Sequence, residues 1–542
     1  MQPRWLTNQK MIAILLLFVG FLLFFYKVGD RDLWAPDEDE YAQMSREMIR
    51  YNNWAYPTVN GEPWAVKPAL YNWLTGLISL PYGDVDEFRA RIFSALAALG
   101  TFLLVFYLGQ RMFSTMAGLL AASVLGTSIL FLQYARWAQT NMLSTFFATL
   151  AIYCFYRGYT DPPKRSPSYL MMYVAVALGV LTMGPVNLIM PGLVVFIYLV
   201  VAKDLRHIMA LKIVWGVLIV SILAAPWYVM VSSGDGYASE LLVKTNWTRF
   251  FNAWTHKRPF YYYFIGLPWA FLPWSLFLPG AVHLAFSKRS QAHRRALQFL
   301  LVWVFSLLIF FSIAQTKRHQ YILIIYPALA LLVGYLGEMA IRHWPSSYYR
   351  KAVAIPAFIL AVLLALAALA LPIGAGVYLK SWLGAILGVS VIMGTCAVLL
   401  GVAWRRRQVK RMLFLPALMV LLLTVYSVHI LIPKMEFYKS PRPFCEEVKA
   451  HLEKGAQWAM YRFYRAAYVY YTDSFAKVLE DDEALQAYLA QPTLALVVMK
   501  ESHYNMIKKT LEGKAFLVTR RQIGHRPMVL LANQQIRPQP EA

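Results

Sequence analysis

The sequence predicts an all-α polytopic membrane protein with a small C-terminal extracytoplasmic α/β domain. Three observations favour this fold class: an apolar composition, long apolar runs, and basic residues concentrated on alternate connecting segments. Of the 542 residues, 59% are hydrophobic and 15% are charged, with a mean hydropathy of +0.47. Soluble domains are about 45–50% apolar and about 25% charged, so an ordinary cytosolic enzyme, a coiled coil and a disordered chain are excluded.

The apolar runs set the expected number of membrane spans. About thirteen of them approach the ~20 residues that a helix needs to cross the hydrocarbon core, and they do not alternate as barrel strands do. The first run follows Arg4 and Lys10 and lacks a small-residue cleavage site, which predicts a retained signal anchor. The runs lie at 11–26, 88–110, 115–133, 138–156, 169–183, 186–202, 211–231, 260–286, 297–314, 319–340, 352–372, 381–404 and 411–432.

The formal charge of +24 is typical of nucleic-acid-binding proteins, but its distribution indicates a membrane topology instead. With the N-terminus inside, the connecting segments on that side hold 21 basic residues, whereas the short loops on the opposite side hold four. This asymmetry follows the positive-inside rule and places residues 27–87 and the tail from residue 433 outside. The four exceptions are Arg136, Lys317, Arg318 and Lys380.

Residues 68–82 form an ambiguous apolar stretch that begins and ends near prolines. Counting it as a span would reverse every later loop and remove the charge asymmetry. Apolar runs of roughly this length are usually interfacial or re-entrant segments. We therefore predict an interfacial or re-entrant helix there.

The composition changes after residue 432. The segment 433–542 carries 16 basic and 12 acidic residues, and about 110 residues can bury a core of their own. We therefore predict two domains: a transmembrane domain (1–432), which includes the first outside loop (30–87), and a soluble α/β domain (433–542). The tail has β-like runs at 493–500 and 528–533 and helix-like runs at 442–454 and 480–490.

The first outside loop is rich in acids. Residues 30–87 hold eleven acidic and four basic residues, a net charge of −7, and four consecutive acids begin a helical pattern within Trp34–Trp54. One interpretation is structural: Asp37 is the N-cap and Glu40 its partner in a capping box. The other is functional: Asp37 or Glu38 reaches a cavity and takes a proton from a hydroxyl. The pattern leaves both open.

Basic residues on the outside could hold a phosphate, because Arg and Lys clusters pair with phosphate oxygens. Contacts with lipid headgroups or with the acidic loop explain the same residues equally well. A lone histidine such as His256 does not indicate a metal site. The residues concerned are Lys67, Arg249, His256, Lys257, Arg258, Lys317, Arg318 and His319.

The order of these motifs resembles a known family. An outside Pro-Asp-Glu is followed by Tyr and Ser-Arg-Glu-Met, then by Lys-Pro with Tyr71 and Trp73. An Arg-Phe and a His come before Pro-Phe-x-Tyr-Tyr, and a late Lys comes before Tyr-Ile-Leu. Residues 30–330 in this order resemble the polyprenyl-phosphate-dependent glycosyltransferases of the C-type membrane fold. Lipid A aminoarabinose transferases and protein mannosyltransferases are the most similar members.

The resemblance implies roles for individual positions. Asp37 corresponds to a catalytic aspartate of the first loop, with Glu38 as its neighbour and Tyr41 one helical turn later. Lys67 corresponds to a lysine that contacts the lipid phosphate. The other substrate-binding positions that it implies are Arg249 and His256 near the donor phosphate, and Lys317 and Tyr321 in the late basic loop.

Three matched positions depart from the family's pattern. Val66 stands where aminoarabinose transferases have an acid, Asn141 where many relatives have a second aspartate, and Met183 where they have a lysine. The sequence therefore requires no cofactor and gives no support for a divalent metal. The departures leave a specialised or inactive relative open.

The resemblance implies an inverting glycosyltransferase. Its donor would be a polyprenyl-phosphate sugar and its acceptor a lipid, glycan or protein at the periplasmic face of the bacterial inner membrane. A cytoplasmic N-terminus, contacts with membrane lipids and no nucleic-acid partner complete this expectation. Two alternatives remain: a non-catalytic protein that binds lipid-linked glycan, and a lipid or glycan transporter. Acids are nearly absent from the spans, which argues against ion-coupled transport.

Overall fold

The structure is a computed structural model that describes residues 9–232, 256–344 and 346–536. Within this part the chain is mostly helical, with a two-stranded and a five-stranded sheet. The α-helices are Gln9–Gly20, Glu38–Arg50, Leu70–Ser79, Glu87–Met112, Thr115–Gly126, Ile129–Ala135, Thr140–Thr160, Arg165–Met183, Val186–Val201, Ile213–Ser232, Tyr262–Ala270, Leu278–Phe286, Arg294–Ile313, Tyr326–Arg342, Ser347–Tyr378, Leu383–Arg405, Val409–Tyr426, Ile432–Lys439, Arg442–Leu452, Ala466–Thr472, Asp482–Leu489 and Glu501–Ile507. The strands are β1 (Thr58–Val59), β2 (Glu62–Pro63), β3 (Gln457–Tyr461), β4 (Lys477–Leu479), β5 (Ala495–Lys500), β6 (Phe516–Ile523) and β7 (Arg526–Ala532).

The described helices include eight that are long and apolar enough to cross a membrane, or ten if each of two bent pairs forms one span. The chain is therefore a multi-pass membrane protein, as predicted. The expectation of about thirteen spans is too high for the described residues. The bent pairs are Thr115–Gly126 with Ile129–Ala135, at 71°, and Tyr262–Ala270 with Trp274–Phe286, at 111°.

The other predicted spans fold as helices of different length or composition. The first predicted run gives the apolar segment Met11–Phe25, and the run at 186–202 gives Val186–Val201; both belong to the shorter class of 10–17 residues. The helix Thr140–Thr160 has polar residues at both ends and is not among the eight. Apolar composition thus located the helices but did not distinguish full spans from short or broken ones.

The ambiguous stretch at 68–82 forms the helix Leu70–Ser79, of ten residues, and a short 3-10 turn, Leu80–Tyr82. At 1.5 Å per residue the helix is about 15 Å long, which is half the thickness of a hydrocarbon core. It is too short to cross a membrane, so leaving it out of the spans is correct.

The chain divides into two compact units. The larger one, which we call the membrane unit, comprises Met1–Val28, Ala65–Tyr71 and Arg91–Ile430. The smaller one, which we call the sheet unit, comprises Gly29–Trp64, Asn72–Ala90 and Leu431–Ala542. Most of the first loop therefore packs with the C-terminal segment, a grouping that the sequence did not suggest.

The five-stranded sheet runs in the order β4-β3-β5-β7-β6. Strand β3 pairs in parallel with β4 and β5, whereas β7 is antiparallel to β5 and β6. Five of the six residues of the central strand β5 are buried, as expected for a strand covered on both faces. The strands and helices predicted in the tail are confirmed by β5, β7, Arg442–Leu452 and Asp482–Leu489.

A buried carboxylate attaches the β1–β2 hairpin to the helix Glu38–Arg50, which we call the loop helix. Glu47 is 1% exposed and accepts hydrogen bonds from Thr58 Oγ1 at 2.7 Å, the Asn60 amide at 2.6 Å and the Gly61 amide at 3.1 Å. Buried carboxylates persist when donors satisfy them in this way. These hydrogen bonds hold the β1–β2 hairpin against the loop helix.

The loop helix also contacts the C-terminal segment within the sheet unit. Arg46 makes a bidentate pair with Asp84, at 2.6 and 3.0 Å, and donates to the Tyr470 carbonyl at 2.5 Å. Its guanidinium lies 3.6 Å from the centroid of the Tyr470 ring. The contacts with Tyr470 join residues that are 424 positions apart. Tertiary contacts therefore fix the position of the loop helix.

Candidate active site

The loop helix begins at Glu38, and Asp37 occupies its N-cap position. Asp37 has φ 87° and ψ −53°, whereas an N-cap residue usually needs an extended backbone to turn its side chain onto the helix. Its side chain makes no capping hydrogen bond, so the predicted capping box of Asp37 and Glu40 is wrong. A positive φ outside glycine costs on the order of 1–3 kcal/mol, which indicates a conformation imposed by the surrounding fold.

Glu38 is fully buried and paired. Its Oε2 lies 2.7 Å from Arg31 Nη2 and accepts a hydrogen bond from the Trp34 amide at 3.3 Å. The Arg31 guanidinium also lies 4.2 Å from the centroid of the Trp34 ring. A carboxylate enclosed with its own guanidinium is poorly placed to take a proton from a substrate. A catalytic role for Asp37 stays a prediction.

Asp39 is buried against the C-terminal segment. Its Oδ2 accepts a hydrogen bond from the Ala467 amide at 3.0 Å. Burial raises the pKa of Asp39 to about 6, although this hydrogen bond and the charge of Arg465 oppose the shift. Arg465 is thus a second cation, besides Arg31, that interacts with the acidic start of the loop helix, and its distance along the chain explains why the sequence did not indicate it.

Glu40 titrates near neutral pH. Burial, followed by the negative charges of Asp39 and Asp37, raises the pKa of Glu40 to about 7. The Trp64 indole donates a hydrogen bond to Glu40 Oε2 at 3.2 Å. A general acid or base works best with a pKa near the operating pH, so Glu40 is a candidate that the sequence did not single out. Its environment comes from tertiary contacts, for which the local pattern carries no signal.

Tyr41 is buried on the same helix start. Its amide donates to the Asp37 carbonyl at 3.2 Å, which closes the first turn of the loop helix. The structure therefore places Tyr41 and Asp37 one turn apart, as the resemblance implies. A contact between Tyr41 and substrate stays a prediction.

A cavity in the membrane unit brings together four positions that the resemblance singles out. It has a volume of about 90 Å³ and is lined in part by Lys67, Asn141, Met183 and Tyr321. Among the described residues that line it, Lys67 is the only charged one. The apolar wall is formed by Val186, Met190, Phe310, Phe311 and Ile324.

The polar wall of this cavity comes from one face of the helix Thr140–Thr160. Asn141, Ser144 and Thr145 follow the i, i+3, i+4 spacing that places side chains on one helix face. Asn141 Nδ2 donates to Gln139 Oε1 at 2.9 Å, and Thr145 Oγ1 donates to the Asn141 carbonyl at 2.9 Å. One cation, neutral polar groups and an apolar wall suit an anion attached to a hydrocarbon chain.

Lys317 does not line the Lys67 cavity. Its ammonium donates to the Arg258 carbonyl at 3.1 Å and to the Ala314 carbonyl, and the residue is 3% exposed. It contributes to a wider cavity of about 540 Å³, together with Lys257 and Arg258. The contact with the Arg258 carbonyl joins the late basic loop to the preceding loop, and binding of the donor phosphate by Lys317 stays a prediction.

Two other predicted residues lie in the preceding loop. Arg249 lies outside the described residues. His256 is exposed, has φ 54°, and accepts a hydrogen bond from the Lys317 amide on its carbonyl at 3.1 Å. The backbone of His256 is thus tied to the late basic loop, and a role for its ring stays a prediction.

Within residues 9–232, 256–344 and 346–536, no group of three or more His, Cys, Asp and Glu side chains could hold a metal ion. The carboxyl groups of Asp39 and Glu40 instead receive donors from the protein.

Comparisons with known proteins agree with the predicted resemblance. Residues 66–229 match the sequence model of the dolichyl-phosphate-mannose-protein mannosyltransferase family. An uncharacterised protein of Aquifex aeolicus is 30% identical over 333 residues, covering 61% of this chain and 64% of that protein. An undecaprenyl phosphate-alpha-4-amino-4-deoxy-L-arabinose arabinosyl transferase of Aeromonas hydrophila is 30% identical over 333 residues, covering 58% of each.

The resemblance to polyprenyl-phosphate-dependent membrane glycosyltransferases is confirmed. The chain spans less than two thirds of the length of these curated relatives, 64% and 58%. The family model itself covers residues 66–229, which contain the end of the first loop and the early predicted spans.

Two solved structures of membrane proteins are similar in fold to this chain. The crystal structure of ArnT from Cupriavidus metallidurans bound to undecaprenyl phosphate has a TM-score of 0.84 at 19% identity, covering 98% of this chain and 100% of that chain. The oligosaccharyltransferase AglB from Archaeoglobus fulgidus has a TM-score of 0.51 at 11% identity, covering 94% and 71%. At these identities the likeness establishes the fold alone, which is the ArnT fold.

Proposed function

We propose that this protein transfers a sugar from a polyprenyl-phosphate donor to an envelope acceptor at the periplasmic face of the bacterial inner membrane, with inversion. The observation that carries the proposal is the Lys67 cavity, in which one ammonium group meets an apolar wall. The ArnT structure with the same fold holds undecaprenyl phosphate, an anion on a long hydrocarbon chain. The name of the arabinosyl transferase relative includes an undecaprenyl phosphate sugar.

Lys67 binds the donor phosphate and stabilises its charge as it leaves. A phosphate departs as an anion, so the reaction needs a cation near it and no general acid. A charge-assisted contact is stronger beside an apolar wall than in water. Tyr321 and Asn141 supply neutral polar groups in the same cavity, and Arg249 and His256 remain candidates for further phosphate contacts.

Asp37 orients the acceptor and takes its proton. The acceptor oxygen forms a bond to the anomeric carbon while the bond from that carbon to the phosphate oxygen breaks on the opposite face, which inverts the configuration. The hydroxyl proton passes to the carboxylate, and the polyprenyl phosphate leaves with the bonding electrons. Glu40 is the second candidate for the base because its pKa is about 7. If the acceptor is itself a phosphate, the carboxylate only orients it.

One observation favours an alternative, a non-catalytic protein that binds lipid-linked glycan. Asn141 and Met183, where the resemblance leads us to expect an acid and a lysine, line the same cavity as Lys67. Neutral residues at these positions would permit lipid binding with fewer charges around the reacting group. This alternative predicts binding of the donor without transfer.

Binding and transfer of labelled polyprenyl-phosphate sugars in membranes separate the two functions. We expect Lys67→Gln to lose both, and Asp37→Asn to keep binding and lose transfer. Lys380→Gln, which removes an exposed lysine of the same unit, should keep both. Donor binding without transfer by the wild type would establish the alternative, and full transfer by Lys67→Gln would refute the donor site. Mass spectrometry of envelope glycolipids and glycoproteins, with and without the gene, identifies the acceptor.

A further inference from the structure

The membrane unit contains a further cavity, of about 500 Å³, which we call the helix-end cavity. Its walls come mainly from the start of the helix Ser347–Tyr378 and the end of the helix Leu383–Arg405. None of the described residues that line it is acidic. The lining residues include four cations and two tryptophans: Arg350, Lys351, Arg405, Arg407, Trp344 and Trp404.

The helix-end cavity is separate from the Lys67 cavity. Tyr321 and Ile324 line the Lys67 cavity just before the helix Tyr326–Arg342 begins, whereas Trp344 lines the helix-end cavity just after that helix ends. A helix of 17 residues is about 25 Å long. The two cavities therefore lie near opposite ends of one helix. The topology that the basic residues predict places the helix-end cavity inside.

The backbone after the helix Leu383–Arg405 turns in a way that brings two cations to the helix-end cavity. Arg407 has φ 54°, and its amide donates to the Trp404 carbonyl at 3.1 Å. The next amide, that of Gln408, donates to the Ala403 carbonyl at 2.8 Å. These hydrogen bonds satisfy carbonyls that the end of a helix leaves free. The closed turn therefore fixes the backbone of Arg407 where its side chain lines the cavity.

The positive charge of the helix-end cavity has no acidic partner among the described residues. Its four cations form no ion pair with a carboxylate there, and residues 339–435 contain no Asp or Glu. The preceding acid, Glu338, is already paired with Arg342 at 2.5 Å. The start of a helix carries a partial positive charge, which adds to that of the side chains. Like charges that share a cavity repel one another, and a bound anion relieves that repulsion.

An apolar surface continues from the helix-end cavity along the helix Ser347–Tyr378. Ile355 lines the cavity and is 52% exposed, and the exposed side chains of Phe358 and Val362 follow it on the same helix face. The Phe358 ring packs against Trp404, with ring centroids 4.8 Å apart. Tryptophan is enriched where hydrocarbon meets water. A basic cavity that continues into an apolar surface matches an anionic headgroup with its hydrocarbon chains.

We propose that the helix-end cavity binds the phosphate of an anionic phospholipid, held by Arg350, Lys351 and Arg405. The hydrocarbon chains of the lipid lie along the apolar surface that begins at Ile355. Guanidinium groups pair with phosphate oxygens and the ammonium group adds a point charge. Basic pockets between membrane helices recognise anionic headgroups by this chemistry. The site does not depend on the proposed transferase function.

Native mass spectrometry of the purified full-length protein in detergent tests the binding. The pocket variant combines Lys351→Gln and Arg405→Gln. The matched control combines Arg406→Gln and Lys410→Gln, which also removes one arginine and one lysine from exposed positions but leaves the cavity lining intact. Dioleoylphosphatidylglycerol should bind the wild type and the control with the same Kd. It should bind the pocket variant about tenfold more weakly, which is the loss of about one charge-assisted contact.

Three outcomes overturn the proposal. Equal weakening in both variants would show that the lipid responds to the charge of the whole surface and not to the cavity. Equal binding by all three proteins would show that the cavity cations do not contact the lipid. Equal binding of dioleoylphosphatidylcholine, which has the same chains and no net charge, by the wild type would show that the headgroup charge is not recognised.

A soluble headgroup distinguishes a lipid from a free phosphate. Glycerol 3-phosphate should leave the Tm of the wild type unchanged, because it has no chains to bury on the apolar surface. If it raises Tm in the wild type and the control but not in the pocket variant, the cavity takes a free phosphate and the lipid assignment is wrong. The Tm of each protein without lipid confirms folding. If the pocket variant is unstable, Lys351→Gln compared with Lys410→Gln applies the same criteria to single exposed lysines.

Discussion

The acidic start of the loop helix and the Lys67 cavity differ in the number of their charged side chains and in the partners of those side chains. At the helix start two buried acids and one half-buried acid each have a different donor: Arg31 for Glu38, an amide for Asp39 and an indole for Glu40. In the cavity, Lys67 is the only charged side chain among the lining residues that the structure describes, and the others are neutral or apolar. The comparison teaches that the number of charges in a motif does not identify the reactive one, whereas the partners of each charge do.

The largest expected effect separates Asp37 from Glu38. Asp37→Asn removes the proposed base and should lower kcat by ~10²–10⁴-fold. Its Tm should stay close to that of the wild type, because Asn has nearly the same shape as Asp and also tolerates the positive φ of this position. Glu38→Gln leaves the Arg31 charge buried without its carboxylate and should reduce the free energy of unfolding by about 3–5 kcal/mol. Transfer assays and thermal unfolding in detergent measure the two effects.

Two outcomes would break this assignment. If both variants fold and transfer sugar at the wild-type rate, neither residue is catalytic. If Glu38→Gln loses kcat while its Tm is unchanged, the roles of the two residues are reversed.

The next largest expected effect distinguishes Lys67 from Lys317, two lysines for which the resemblance implies the same substrate-binding role. Lys67→Gln should lower kcat/KM for the donor by ~10²-fold, because it removes the charge that stabilises the leaving phosphate. Lys317→Gln should instead lower the free energy of unfolding by about 1–3 kcal/mol, since it removes the donor to two loop carbonyls. Donor titrations and thermal unfolding of both variants provide the measurement. If the Lys317→Gln protein is as stable as the wild type but binds the donor weakly, Lys317 contacts the donor.

A smaller effect concerns the pH dependence of stability. The folded protein raises the pKa of Glu40 from 4.5 to about 7, so between these values the folded state binds more protons than the unfolded state. Stability should therefore fall as pH rises through this window. Glu40→Gln should flatten this part of the curve and, at pH 8, increase the free energy of unfolding by on the order of 2 kcal/mol.

Asp39→Asn is the matched control for Glu40→Gln. It should remove a similar slope at lower pH, since the pKa of Asp39 is raised from 3.8 to about 6. A wild-type slope between pH 4.5 and 7 in Glu40→Gln would contradict the raised pKa. Loss of transfer in Glu40→Gln with normal transfer in Asp37→Asn would make Glu40 the base.

Local sequence patterns predicted the helices and the sheet well, because they depend on short-range periodicity. The tail strands near 493–500 and 528–533 are examples. The number of spans was not predictable in the same way, since a continuous apolar run does not reveal a bend. The run at 115–133 is such a case: it folds as two helices bent by 71°.

The candidate site was predictable only in part. The resemblance pointed to Lys67, Asn141, Met183 and Tyr321, but the fold was needed to show that they line one cavity. The local pattern indicated a capping role for Glu40. Its hydrogen-bond partner Trp64 lies 24 residues away, and only the tertiary structure joins the two residues. Contacts between residues that are far apart along the chain cannot be predicted from the local sequence pattern around either residue.

The smallest expected effect tests whether the sparse charge of the Lys67 cavity limits donor binding. Met183→Lys places a second cation in that cavity and should strengthen undecaprenyl phosphate binding several-fold at low salt, with the gain reduced at high salt because ions screen it. Met183→Gln controls for polarity without charge and should give no gain. Binding measured at two ionic strengths distinguishes the two variants. Equal binding by Met183→Lys and Met183→Gln would show that a second cation adds nothing to the phosphate contact of Lys67. The small number of charges in the Lys67 cavity would then not limit donor binding.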